Sequence, residues 1–263
     1  MRAPHRGRGA AAWLAGVFAL TLALPAIGSD PIDTIARVKP SVVAVGTFEA
    51  ERSPSFEFRG TGFAVGSGQT IVTNAHVLPR ALDSARKEAI AILLPGPHPE
   101  SARVFAVRRI ADDAAADLAL LRLEGETLPP LALGDSDSVR EGQSVLITGF
   151  PIGAVLGAYP VTHRGMVSAV TPIAIPQRNA RDLKPALVHR LSAGSFPVFQ
   201  LDATAYPGSS GSPIYDPANG NVLGIVNMVF VKSTKESVLA SPSGITYAIP
   251  AIHLRRLMER AAK

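Results

Sequence analysis

The chain has 263 residues, no cysteine, 22 prolines, 23 glycines and a formal charge of +5 at pH 7. Without a thiol there is no disulfide framework, no thiolate metal site and no cysteine nucleophile. The glycine and proline content fits many short elements joined by turns, in one large β-type domain or two small lobes.

Arg2, Arg6 and Arg8 precede an uncharged apolar run from Ala10 to Leu24, and Pro25 with Ala26-Ile27-Gly28 closes it on small residues. This is the layout of an export signal over residues 1–28, with an apolar part shorter than the roughly 20 residues of a spanning helix. The alternative is an uncleaved membrane anchor. Residues 1–28 hold three arginines and no acid, so the remainder stands at +2, too little for an electrostatic footprint on nucleic acid.

Asp30-Pro31 predicts an N-cap and the first position of a short helix reaching about Lys39, which Pro40 ends. Ser41 to Phe48 is β-branched and predicts a buried strand, 49–59 a polar loop, and Gly60 to Val65 a second strand closed by the turn 66–68. Thr70 to Leu78 follows, with His76 at the end of a strand. Strands are predicted over Ala89–Leu94 and Ala102–Arg109, with Asp112 and Asp113 as solvated loop charges. Asp117 leads directly into the apolar strand Leu118 to Leu123, where a carboxylate must stay solvated or find a partner.

The polar stretch 133–141 is the best linker between two strand-rich halves. Val145–Phe150 and Val161–Val170 predict strands, the latter with Gly165 as a candidate bulge. Residues 171–195 read as a long loop, with or without a short helix. Val198–Asp202, Val222–Val231 and Ile245–Ile249 are the remaining predicted strands. Pro250 opens a terminal helix with Ala251, Leu254, Leu257 and Met258 at helical spacing.

Between these elements lies Tyr206-Pro207-Gly208-Ser209-Ser210-Gly211-Ser212-Pro213. Small residues on both sides of Ser210 let the chain turn tightly and bring main-chain N–H groups beside its hydroxyl. A serine nucleophile with a main-chain oxyanion site needs that arrangement. Taken alone, such a run is more often a plain surface turn.

With Thr73-Asn74-Ala75-His76, Asp117-Leu118-Ala119 and Gly208-Ser209-Ser210-Gly211 in that order, the chain resembles the trypsin-like serine proteases. Further blocks resemble the bacterial HtrA/Deg proteases: Gly60-Thr61-Gly62-Phe63, Gly134-Asp135-Ser136, Gln200-Leu201-Asp202 and Gly244 to Pro250. The resemblance implies an all-β protein of two six-stranded antiparallel β-barrels of the trypsin-like type, with a short N-terminal helix and a C-terminal helix. The protease domain would span 29–263, with barrels at about 40–133 and 142–250 and the helix at 251–263. It implies His76 as general base, Asp117 as its orienting carboxylate and Ser210 as nucleophile. The backbone N–H groups of Gly208, Ser209 and Ser210 would form the oxyanion hole. Thr204 would lie at the base of the primary pocket, with Ile225 to Asn227 along its walls. Thr204 carries no charge, so the expected preference is a small or medium aliphatic residue rather than Arg or Lys.

The sequence departs from the family in having Ser209 before the nucleophile and Ser212 two after it, and the PDZ domain that many of these proteases carry is not expected. The expected protein is an exported, periplasmic serine endopeptidase that cleaves unfolded or damaged polypeptides. It needs no cofactor, binds no nucleic acid and is not stably inserted in the membrane once the leader is removed. No metal is expected, since His98, His163, His189 and His253 lack ligand spacing. Oligomeric state is left open. So are two alternatives: a catalytically silent or latent domain that binds partner proteins, and an esterase with the same triad.

Overall fold

The computed structural model describes residues 30–96, 98, 101–151, 159–172, 196–204, 206–227 and 245–263. The expected leader (1–28), residues 173–195 of the long loop and residues 228–231 of one expected strand lie outside them. Asp30 Oδ1 accepts the Ile32 N–H at 2.9 Å, and Pro31 opens helix α1 (Pro31–Val38).

Twelve strands follow among the described residues. The first six are β1 (Val42–Phe48), β2 (Phe56–Val65), β3 (Thr70–Asn74), β4 (Ala89–Leu94), β5 (Arg103–Asp113) and β6 (Leu118–Leu123). They close into a barrel in the order β1-β2-β3-β6-β5-β4. The next six are β7 (Ser144–Gly149), β8 (Val161–Pro172), β9 (Pro197–Asp202), β10 (Pro213–Tyr215), β11 (Val222–Val226) and β12 (Ile245–Pro250). These close in the order β10-β11-β12-β9-β8-β7, and helix α2 (Ala251–Ala261) follows. Every pairing within the barrels is antiparallel, and closure leaves no sheet edge to aggregate. Among the described residues no helix is long and apolar enough to cross a membrane.

Side chains alternate across a strand, so a strand buried on both faces reads as a continuous apolar run. In β1, Val43 and Val45 join a core drawn from the first barrel, with Ile71, Ile92 and Leu121. Val42 and Ala44 face the other way, into a core shared by both barrels and α2, with Phe63, Leu120, Tyr215, Ile225 and Leu254. A third core belongs to the second barrel, around Val145, Ile147, Leu201 and Ile214. The two barrels are thus joined by a common apolar layer, which fixes the position of any site between them.

Several expectations are corrected. β2 begins at Phe56 rather than Gly60, because 56–58 pair with β1 beyond a register shift at Val45/Gly46. Gly165 is not a bulge: it pairs in register with Val145, and the shift in β8 falls between Val167 and Ala169. Gly165 is small because a Cβ there would lie 2.7 Å from Ala203 Cβ. Asp113 is not a loop charge but the last residue of β5, with an oxygen 2.6 Å from Arg260 Nη2 on α2. The 133–141 segment is stitched down at Leu133, bridged to Val222, and at Ser136 Oγ, which accepts the Ile252 N–H at 3.0 Å.

Candidate active site

His76 lies not in a strand but in the single 3₁₀ turn Ala75–Val77 that follows β3. Asp117 occupies the turn before β6 with φ of 53°, a left-handed conformation that non-glycine residues seldom adopt. The main chain holds it there: its carbonyl accepts the Ala75 N–H and Asn74 Nδ2, each at 3.0 Å. The same turn brings its carboxylate to the histidine. Oδ1 accepts the His76 backbone N–H at 3.0 Å, and Oδ2 lies 2.6 Å from His76 Nδ1.

On the far side of the ring, His76 Nε2 is 3.0 Å from Ser210 Oγ. A carboxylate accepting at Nδ1 places the ring proton there, leaving the Nε2 lone pair for the serine hydroxyl. The Asp117 side chain is 6% exposed and the His76 side chain 30%, so the carboxylate is screened from water while the imidazole opens on the cleft.

The segment before Ser210 is a defined turn. The Ser209 N–H donates to the Tyr206 carbonyl at 2.9 Å, proline stands at the second position, and Gly208 at the third has φ of 100°. Positive φ at the third position and proline at the second define a type II β-turn. A Cβ on Gly208 would also meet the Phe150 carbonyl oxygen at 2.5 Å. The expected oxyanion set is therefore corrected at Ser209, whose N–H is spent inside the turn. Its hydroxyl accepts the Tyr206 N–H at 3.3 Å. Ser212, the second departure from the family, has a buried hydroxyl filling the space over Gly149, with no hydrogen-bond partner among the described residues.

The expected pocket walls are corrected too. Ile225 is fully buried in the shared core. Asn227 is also fully buried, and its Nδ2 donates to Asp117 Oδ2 at 2.7 Å. Thr204 is half-buried just beyond β9. Asn227 is the functional residue that sequence reasoning misplaced; the available signal was an amide directly following the apolar strand Val222–Val226, where it must find a partner. Among the described residues no group of His, Asp and Glu is arranged to hold a metal ion.

Two six-stranded barrels with a His–Asp–Ser cluster where they meet define the class, that of the trypsin-like serine proteases. The chain belongs to the family described as "Trypsin-like peptidase domain", whose model matches residues 60–225. Proteases of the HtrA/Deg type are among its relatives. It is 32% identical over 262 residues to the bovine (Bos taurus) "Serine protease HTRA2, mitochondrial", covering 98% of this chain and 49% of that protein. It is 30% identical over 192 residues to a "Probable periplasmic serine endoprotease DegP-like" of Marinomonas sp., covering 73% of this chain and 33% of that one. The chain thus spans a third to a half of these relatives. In fold it is similar to the solved structure "HtrA-type protease AlgW with tripeptide", with a TM-score of 0.60 at 24% identity, over 88% of this chain and 63% of that one.

Proposed function

We propose that the protein is an exported serine endopeptidase that hydrolyses peptide bonds of unfolded or damaged polypeptides through an acyl-enzyme. The observation that carries this reading is the His76 imidazole, hydrogen-bonded to Asp117 on one side and to Ser210 on the other. In the first half-reaction Ser210 Oγ attacks the peptide carbonyl carbon while His76 Nε2 takes the hydroxyl proton. Asp117 stays ionised and stabilises the imidazolium. The N–H groups of Gly208 and Ser210 hold the oxyanion. His76 then protonates the departing amine, and a water molecule repeats the sequence on the acyl group to free the acid and regenerate Ser210.

Export is supported by the basic and apolar segment of residues 1–28, and a periplasmic destination by the name of the DegP-like relatives. The test is labelling of the purified protein with a fluorophosphonate, followed by peptide mapping. The expected adduct is on Ser210, absent in Ser210→Ala and retained in Ser209→Ala. A folded protein that takes no label, with or without an unfolded polypeptide present, would sink the reading in favour of a silent partner-binding domain.

A further inference from the structure

Glycine tolerates both signs of φ at little cost, so Gly208 permits the type II turn without holding it. What holds it is found on the other barrel. Thr61, in the middle of β2 and fully buried, donates its hydroxyl to the Gly208 carbonyl at 2.8 Å. The same oxygen accepts the Phe150 N–H at 3.0 Å, so its one proton and one of its lone pairs are committed in a consistent sense. The Thr61 main chain adds a second grip, its N–H donating to the Ser210 carbonyl at 2.8 Å. Its own carbonyl accepts the Thr73 hydroxyl at 2.8 Å, from the strand that leads into His76. Gly211 has no side chain because a Cβ there would fall on this Thr61 carbonyl.

We propose that Thr61 is a positioning residue for the reaction, whose hydroxyl anchors the Tyr206–Ser209 turn on the first barrel and so sets the place of the Gly208 N–H relative to His76. The inference rests on the proteolytic reading above. Its physical basis is the placement of one peptide. The Gly208–Ser209 peptide is pinned at both ends, by Thr61 on its carbonyl and by the Tyr206 carbonyl on its N–H. Types I and II share the orientation of this peptide, so the two bonds fix where the turn sits against the first barrel rather than which type it is. Without the Thr61 hydroxyl, the Gly208 carbonyl is left without that donor, and the turn loses its side-chain anchor on the first barrel. A residue of the first barrel thereby ties the nucleophile turn of the second barrel to the strand that leads into the base.

The test compares the full chain with Thr61→Val and Thr61→Ser in saturation kinetics of fluorophosphonate labelling at Ser210. The expected result for Thr61→Val is a maximal labelling rate lower by roughly 10-fold or more, since losing an oxyanion donor outright costs on the order of 100-fold. The half-saturating probe concentration and the downfield proton resonance of the His76–Asp117 bond should stay unchanged. Thr61→Ser, which keeps the hydroxyl, should restore most of the rate. Equal labelling of Thr61→Val and wild type overturns the proposal, as does loss of the His76 resonance together with the label, which marks general disruption. Should Thr61→Val fail to fold, Thr61→Ser still decides: a folded serine variant that labels slowly shows that the methyl group, not the hydroxyl, matters. A wild-type protein that takes no label overturns the proteolytic reading itself, and this inference with it.

Discussion

At the scale of single residues the site is a chain of acceptors and donors with Asp117 at its centre. Its two carboxylate oxygens accept from the His76 backbone, the His76 ring and the Asn227 amide. An anion in a dry site gains most from short bonds that stay in place, and Asn227 Nδ2 at 2.7 Å is such a bond. Hydrogen bonds to charged groups contribute about 1.5–3 kcal/mol, so Asn227→Ala should slow acylation of Ser210 by roughly 10- to 100-fold. Stopped labelling reactions on the two proteins measure this, and equal rates would show that Asp117 needs only the histidine. His76, Asp117 and Ser210 were legible because their motifs, in that order, resemble those of the trypsin-like serine proteases. Asn227 was not, because its partner is 110 residues away and only packing brings the two together.

At the scale of elements, magnitudes decide what holds α2 against the barrels. Arg260 and Asp113 approach to 2.6 Å, but the arginine is 55% exposed, and such pairs contribute only about 0–1 kcal/mol. Leu254 and Leu257 are buried in the core shared with Phe63, Tyr215 and Ile225. Leu254→Ala should therefore destabilise by about 2–5 kcal/mol, the range for a large side chain deleted from a packed core. Urea unfolding followed by tryptophan-independent circular dichroism checks it; a loss no larger than that of Arg260→Ala would contradict the assignment. The periodicity of α2 and the two-faced burial of β1 and β6 were readable because apolar spacing reports burial directly. Strand β10 was not, since three residues carry no periodic signal and its place comes from pairing with β7 and β11.

At the scale of the whole molecule, stability should fall with acidity in two stages. Burial pushes His163 and His253 below the ordinary histidine value of 6.5, the latter helped by Arg256 nearby. Both stay neutral in the folded protein while the unfolded chain takes up protons, so stability is lost as pH drops below about 6.5. The carboxylates act lower. Glu88 is held below its ordinary 4.5 chiefly by the Asp83 N–H and the Thr47 hydroxyl. Burial raises Asp113, but the Ala116 N–H and Arg260 outweigh it and keep it below 3.8. Their contribution is fully present above those ordinary values and is lost as pH falls through the lower folded ones. Melting temperature against pH should show the histidine stage first, and His163→Phe should flatten it. A profile level from neutral pH down to the carboxylate range would rule out the histidine contribution.

The sequence by itself determined the class of fold and the order His76, Asp117, Ser210 through its resemblance to the trypsin-like proteases, and the tight turn before the nucleophile through local composition. The tertiary structure alone decided which N–H groups around that turn are already spent, which amide supports Asp117, and which threonine of the first barrel grips the turn of the second. These are matters of hydrogen-bond satisfaction between segments far apart in the chain. A buried polar group takes whatever partner the packed cores bring within about 3 Å, and no local pattern records that choice.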